Sequence, residues 1–440
     1  MRILITGARA PACLEWARLL REAGCAVAAA DSVAVPLTRF SNCVERWFRL
    51  PEPVRGVNEY GAALLAAAER FHADLILPTC EEAFYIAHQR RRLERQCRVF
   101  VADFDLMARL HDKHAFAEFS RDLPIAAPPT VLLQSSEAVM QHARRAGDLV
   151  FKPVYSRFAA RMLIRPSADA LQDIRPTPAE PWIAQEFVPG RELCSYSLLQ
   201  DGRLLAHAAY HPKYRVGRGG GIYLEPVESE PIRGFVRAFG AQTGYTGQVG
   251  FDFIESADGC LSVLECNPRA TSGIHLLSRQ ARELASLLQN SAHENPPTGT
   301  IDNELCIAPP KLGAGGRNRQ PARAGAPTPP KLGAGGRSRR HYRRVEQEPL
   351  NANGSARMVA VAMVMFAAPG VRSLSGLWEF ARDWRGASDI VGSPKDRGPA
   401  LAQMLGLGEI YLRAMRSGRA PLAAATQDIE WNGSPLGAQP

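Results

Sequence analysis

The sequence predicts an α/β region followed by a mixed α+β region, then a basic linker and a small, mostly helical C-terminal region. Three observations carry this. Strand and helix patterns alternate through about residue 110. Short strands dominate from about His111. From about Asn295, Pro, Gly, Ala and Arg fill a stretch with neither pattern.

Arg2–Thr6 (RILIT) reads as a strand, Gly7–Pro11 as a turn, and the residues to about Glu22 as an amphipathic helix. A second strand, Ala26–Ala30, ends on Asp31. This β–turn–α–β order, closed by an acid, is Rossmann-like and predicts a parallel sheet. The GxGxxG fingerprint is absent, only Gly7 standing in the turn, so dinucleotide binding is not expected. Tyr60–Phe71 reads as a helix and Asp74–Pro78 (DLILP) as a buried parallel strand leading to Cys80–Glu82. Beyond these come a helix over Asp112–Arg121, a Pro-rich turn, and strands at Leu149–Pro153, Trp182–Val188, Leu193–Leu199 and Leu204–Tyr210. The nonapeptide PPKLGAGGR occurs at Pro309–Arg317 and again at Pro329–Arg337. Two copies cannot stack into a solenoid, so the segment reads as a flexible tether. In the last region, apolar residues fall at helical spacing around Leu377–Trp384 and Leu401–Met415, and Met358–Ala368 reads as a buried helix. The expected division is 1–110, 111–295 (with a lid at about 120–184), a linker at 296–350, and 351–440.

Charge excludes one function class. The net +9 is concentrated in Pro309–Arg344, which holds ten Lys or Arg and no acid. The rest of the chain has 43 basic against 44 acidic residues, so the folded part carries no nucleic-acid footprint and only the linker could attract RNA or an anionic membrane surface. Nine cysteines without a CxxC pair fit reduced thiols, and the N-terminus lacks a signal-peptide pattern; a cytoplasmic protein is expected. No apolar run is long enough to span a bilayer.

Chemistry concentrates in Val249–Arg269 (VGFDFIESADGCLSVLECNPR). Two β-favouring runs flank a turn at Ala257–Gly259, giving a hairpin. Glu265 and Asn267 are two apart, share a face, and can converge with Asp252 on the facing strand. Two carboxylates and an amide oxygen make a hard site of the type Mg²⁺ prefers. Upstream, Lys113 opens a helix and Lys152 lies in an otherwise apolar strand, where it needs an anion such as phosphate. Trp182–Glu192 (WIAQEFVPGRE) can offer backbone hydrogen bonds to adenine and the Glu192 carboxylate to ribose hydroxyls. Lys213 follows in YHPKY.

In this order and spacing, Lys113, Lys152, QEFVPGRE, YHPKY and the FDF…LECNPR hairpin resemble the ATP-grasp superfamily over roughly residues 1–292. The set is most similar to carboxylate–amine ligases and to the ATP-binding halves of carbamoyl phosphate synthase. The resemblance implies a pre-ATP-grasp parallel sheet followed by an ATP-grasp fold, whose two α+β subdomains grip ATP. It also implies roles. Lys113 and Lys152 would contact phosphates. Gln185 would face the adenine amino group, with Glu186, Phe187 and Val188 along the adenine edge and Glu192 on ribose. Lys213 would steady the terminal phosphates, and Arg269 the transferring phosphoryl group. Asp252, Glu265 and Asn267 would hold Mg²⁺, with Mn²⁺ as an alternative ion. The implied substrates are a small-molecule carboxylate and an amine, and a second copy of the chain is the candidate protein partner.

One departure stands out. The loop Tyr155–Arg161 has no glycine where such enzymes carry a glycine-rich lid, and Arg157 and Arg161 would supply charge instead. That departure keeps open an alternative, a nucleotide-binding regulatory protein or pseudoenzyme without turnover. The cluster Gly217–Gly221 reads as a substrate loop or a plain turn. His207 and His275 read as structural, while His211, beside Lys213, is the histidine best placed for substrate. Cys194 and Cys266 read as core. Trp431, in the unusual tail sequence DIEWN, is expected to dock on the body.

Overall fold

The protein is described by a computed structural model covering residues 1–157, 161–217, 219–290, 348–352 and 354–437. The linker expected at 296–350 lies almost wholly outside these residues. Among them, no helix is long and apolar enough to cross a membrane.

A five-stranded parallel sheet opens the chain, in the order β3-β2-β1-β4-β5. Its elements are β1 (Arg2–Thr6), α1 (Pro11–Glu22), β2 (Ala26–Asp31), β3 (Arg46–Arg49), α2 (Val57–Phe71), β4 (Leu75–Leu77), α3 (Ala83–His88), α4 (Arg90–Leu93) and β5 (Arg98–Val99). The inner strands β1 and β4 and their neighbour β2 are buried on both sides and read as continuous apolar runs, whereas the edge strand β3 (RWFR) exposes both arginines. Gly7, in the first turn, has φ +73°, and a Cβ there would meet Cys80 Cβ and Glu82 Oε1, each at 2.8 Å. Its glycine therefore serves close packing of this turn against the end of β4.

Two more sheets follow. A small antiparallel sheet, ordered β6-β9-β7-β8, is built from β6 (Thr130–Leu133), β7 (Leu149–Pro153), β8 (Leu163–Ile164) and β9 (Trp182–Glu186). It is preceded by α5 (Phe104–His111) and α6 (Lys113–Phe119), and α7 (Ser136–Met140) packs with it. The central sheet has eight strands, with β14-β13-β10-β11-β12 at its heart: β10 (Arg191–Gln200), β11 (Arg203–Arg215), β12 (Gly221–Val227), β13 (Gly247–Glu255) and β14 (Leu261–Asn267). Helix α8 (Glu230–Thr243) is capped by Ser229, whose hydroxyl accepts from Ile232 N–H, and stops at Gly244 with φ +62°. It lays Phe235 and Phe239 edge-on against Phe251, forming the centre of a large apolar core. Behind the sheet, α9 (Ala281–Asn290) packs on α1. Buried Gln248 locks the parallel sheet to the central one: its Oε1 accepts from Trp16 (2.8 Å) and Tyr196 (2.7 Å), and its Nε2 donates to Pro78 O (2.6 Å).

The C-terminal region packs with residues 1–293 as one compact unit. It adds β15 (Leu350–Asn351), β16 (Arg357–Met358) and β17 (Ser388–Asp389) to the central sheet, so it is less purely helical than expected. Its helices are α10 (Ala360–Ala362), α11 (Leu374–Gly386), α12 (Gly398–Ser417) and α13 (Pro421–Ala424). The buried helix expected over Met358–Ala368 is corrected. Met358 is a strand residue, the run continues as a single wide turn over Met363–Ala367, and Val364, Met365 and Phe366 are exposed. Apolar character could not distinguish a buried face from an exposed one in so short a run.

Candidate functional site

The hairpin is β13–β14, and its tip carries Gly259 at φ +82°, with Asp258 Oδ1 accepting from Cys260 N–H. Asp252 and Glu265 are direct register partners, so their side chains leave the same face. A bulge one step further leaves Leu264 unpaired and turns the strand. Asn267 lies opposite Gly250, which supplies no competing side chain. On β10 and β11 the same row continues through Cys194 and Tyr210. Tyr210, Cys194, Asp252 and Glu265 thus form one cross-strand line along a cleft floor.

A cleft of about 260 Å³ covers this floor. Lys113, Lys152, Glu192, Asp252, Glu265, Asn267 and Arg269 all line it. Lys113 arrives because Asp112 caps α6, accepting from His114 and Ala115 N–H. Its ammonium lies 3.3 Å from Glu265 Oε2 and donates to Ser156 O (2.9 Å). Lys152 projects from β7 and is buried. Among the described residues its Nζ makes no hydrogen bond or ion pair. Burial pushes its pKa down to about 8, although Glu265 works the other way. A buried, unpaired ammonium in a cleft fits an anionic ligand.

The two carboxylates behave as a like-charge pair. Burial and then Glu265 raise Asp252, whereas Lys113 and Lys152 overcome the burial of Glu265 and hold it low. Two acids that cannot comfortably ionise together fit a divalent cation. Asn267 completes the oxygen set. Its Nδ2 lies 3.4 Å from Asp252 Oδ2, and its Oδ1 accepts from Arg269 at 3.3 Å. Among the described residues, no three His, Cys, Asp or Glu side chains are placed to hold a metal, so the candidate ligand set here is two carboxylates and an amide.

Arg269 is fixed from behind. Its Nε donates to Glu81 Oε1 at 2.6 Å, and Arg157 Nε pairs with Glu81 Oε2 at 2.6 Å. Although burial opposes ionisation of Glu81, the two guanidinium groups hold its carboxyl well below the usual range. This Arg–Glu–Arg triad ties the end of the parallel sheet to the hairpin and to the loop after β7.

The other proposed nucleotide residues lie elsewhere. Arg157 is corrected: it is buried against Glu81, Trp431 O (2.8 Å) and Asn432 Oδ1 (3.1 Å), not in the cleft. Lys213 is also corrected, because its Nζ pairs with Asp383 (2.6 Å) and Glu379 (2.8 Å) of α11. Tyr210 and Pro212 line the cleft, so plain alternation puts Lys213 on the other face of β11, and two register irregularities after Pro212 return Arg215 to the cleft side. Gln185 donates to Thr130 Oγ1 (2.9 Å) inside the small sheet, and Glu186 pairs with Arg145 (3.1 Å). The N–H groups of Glu186 and Phe187 donate to Pro129 and Asp148 carbonyls. None of Gln185, Glu186, Phe187 or Val188 lines this cleft.

Sequence reasoning missed Arg215, which pairs with Glu192 across the cleft rim and donates to Gly219 O (2.9 Å). It also missed Cys194, read as core but placed on the floor beside Asp252. Cys266, on the opposite face, is core as expected, and the eight cysteines among the described residues are unpaired. His207 and His275 are buried on Ser197 and Glu15, and His211 faces the Glu192 carbonyl at 2.8 Å. Trp431 docks as expected, stacked on Phe84 and against Tyr155. A second cavity, of about 360 Å³, opens at the C-terminal ends of β1, β2 and β4 and shares Arg269, Thr271 and Ser272 with the cleft.

The class is thus a parallel α/β sheet joined to two further sheets, with a lysine- and carboxylate-lined cleft on the larger. No protein-family model matches the sequence. Among solved structures, the chain is similar to N5-carboxyaminoimidazole ribonucleotide synthetase in its ADP complex, at 13% identity over 62% of this chain and 71% of that one, with TM-score 0.48. It is similar to the biotin carboxylase domain of Hydrogenobacter thermophilus 2-oxoglutarate carboxylase, solved with MgADP, ADP and bicarbonate (15%, 64% and 69%, 0.49). It is also similar to the L-amino acid ligase of Bacillus licheniformis (15%, 62% and 68%, 0.49). All three are ATP-grasp enzymes. At these identities the likeness assigns no substrate or reaction to this chain.

Proposed function

We propose that this protein is an ATP- and Mg²⁺-dependent ligase that activates a substrate carboxylate as an acyl phosphate for attack by an amine. The observation that carries this is the shared lining of one cleft by Lys113, Lys152, Asp252, Glu265, Asn267 and Arg269. Lys113 and Lys152 would hold the phosphates, and Glu192 a ribose hydroxyl. Asp252, Glu265 and Asn267 would hold Mg²⁺, which when bound neutralises phosphate charge and lowers the barrier by several kcal/mol. Arg269, held by Glu81, would face the oxygens of the transferring group. The second cavity, beside Arg269, is where the carboxylate and amine would enter.

The chemistry needs no protein nucleophile. A carboxylate oxygen attacks the γ-phosphorus and the bond to ADP breaks. The amine nitrogen then attacks the acyl carbon, and phosphate leaves with the proton the amine sheds. Positioning and charge are what the side chains contribute. ADP release from ATP, Mg²⁺ and a panel of carboxylates and amines tests this; no release under any pairing rejects it.

One observation favours a second reading, a nucleotide-binding protein without turnover. Arg157 and Lys213, two cations assigned to phosphates, are engaged by Glu81 and by Glu379 and Asp383. ATP binding with no ADP formed would select it.

A further inference from the structure

Helix α12 shows its apolar face to solvent. Leu401 (75% exposed), Met404, Leu405, Tyr411, Leu412 and Met415 (73%) all stand out, whereas Glu409 and Arg413 turn inward, Arg413 pairing with both Glu409 and Asp428. At 100° per residue these six and Gly408 fall within one stripe about a third of the circumference wide. The stripe is palindromic about Gly408. Leu401 and Met415 lie seven residues to either side, and Met404 and Leu405 mirror Leu412 and Tyr411. A Cβ added at Gly408 would meet nothing within 4 Å.

We propose that α12 is a homodimer interface, in which a second copy of this chain packs its own α12 antiparallel across the first with Gly408 on the two-fold axis. An isologous contact requires that each residue meet its mirror position, and this stripe supplies that: Leu401 faces Met415 of the second copy, and Leu405 faces its Tyr411. Glycine at the crossing lets the two helix axes approach closely. The six exposed side chains offer roughly 700 Å² per copy, close to the ~800 Å² per partner of a stable interface and above the largest apolar patch usual on a monomer. The contact does not depend on what the cleft catalyses.

Sedimentation equilibrium and cross-linking of the full chain test it. The expected result is a dimer that becomes monomeric when Leu405→Glu and Leu412→Glu are combined, with circular dichroism unchanged because both sites are exposed. In a Cys260→Ser background, which removes an exposed native thiol, Gly408→Cys should form a disulfide dimer on mild oxidation, since the axis brings the two Cβ atoms to about 4 Å. Leu401→Cys in the same background should not. A wild-type monomer at tens of micromolar would overturn the proposal. So would a dimer indifferent to the glutamates, or one that fails to cross-link at 408. Wild-type monomer that sediments with anionic phosphatidylserine vesicles, and loses this with the glutamates, would assign the face to a membrane surface instead.

Discussion

The Lys113 ammonium lies 3.3 Å from Glu265 Oε2, and its hydrogen bonds run to the carbonyls of Val154 and Ser156. One side chain therefore joins α6, the loop after β7 and the carboxylate pair on the hairpin. Replacing it removes the charge that helps keep Glu265 ionised and, in the proposed function, a phosphate contact. Lys113→Met is expected to lower ADP release about 100-fold and raise the KM for ATP, read by steady-state kinetics. Turnover within twofold of wild type would remove Lys113 from the site.

Glu265→Gln keeps the shape of the hairpin but takes away one of two facing carboxylates. Asp252, then relieved of its neighbour, should ionise more readily. Activity is expected to fall by at least 100-fold and to shift its Mg²⁺ dependence to higher concentration, measured as ADP release against titrated Mg²⁺. Unchanged Mg²⁺ dependence would show that the ion binds elsewhere.

Lys213→Ala should behave differently. Its ammonium is committed to Asp383 and Glu379, so ADP release is expected to stay within about twofold of wild type. The loss should appear in stability, as about 1 kcal/mol or a few degrees in thermal melting, because the pairs are partly solvated. A large kinetic defect without a melting shift would return Lys213 to the phosphates.

The contrast between Lys113 and Lys213 shows how far the sequence could be read. Period-two alternation put Glu265 and Asn267 on one face, but counting back from the turn would pair Asp252 with Leu264, and it is the bulge there that brings Glu265 opposite Asp252. The parallel sheet was legible where its strands are apolar and buried, at β1, β2 and β4, while the half-exposed edge strand β3 (RWFR) carried no such signal. Lys213 was placed by resemblance alone, and alternation would have put Arg215 on its face; two irregularities after Pro212 separate the two, leaving Arg215 in the cleft. A bulge leaves no mark in composition. Arg157 was misplaced for another reason, since its partners, Trp431 and Asn432, lie more than 270 residues away in sequence. Exposure of the α12 stripe was equally hidden, because helical spacing defines a face without saying what covers it.

His207 sets a pH dependence. Its ring is buried, its Nδ1 meets Ser197 Oγ at 2.9 Å, and its Nε2 has no hydrogen-bond partner among the described residues. Burial first, with Arg233 and Arg237 adding, lowers its pKa to about 3. In the unfolded chain it titrates near 6.5, so between these values only the unfolded state takes the proton, and stability falls as pH drops. The penalty is absent above about pH 7 and reaches on the order of 4 kcal/mol near pH 3.5. Urea unfolding of His207→Asn against wild type at pH 7 and pH 5 should show a smaller acid loss in the variant. Equal losses would mean that His207 accepts a proton without unfolding.

The C-terminal segment straps the loop after β7 to the parallel sheet. Asp428 pairs with Arg9 at 2.6 Å and accepts from Ser32, while Trp431 stacks on Phe84 at 5.2 Å and offers its carbonyl to Arg157. Trp431→Ala would remove a nearly buried indole and loosen the carbonyl that Arg157 uses, at a cost of about 3–5 kcal/mol. Arg157, still paired with Glu81, would lose its tie to the tail. The expected outcome is a melting temperature lower by several degrees together with faster tryptic cleavage near Arg157 and Arg161. Asp428→Asn would weaken only the Arg9 end, so it should lower the melting temperature while leaving cleavage near Arg157 slow. If both variants opened this loop equally, the tail would be acting through global stability, and Trp431 would have no separate hold on Arg157.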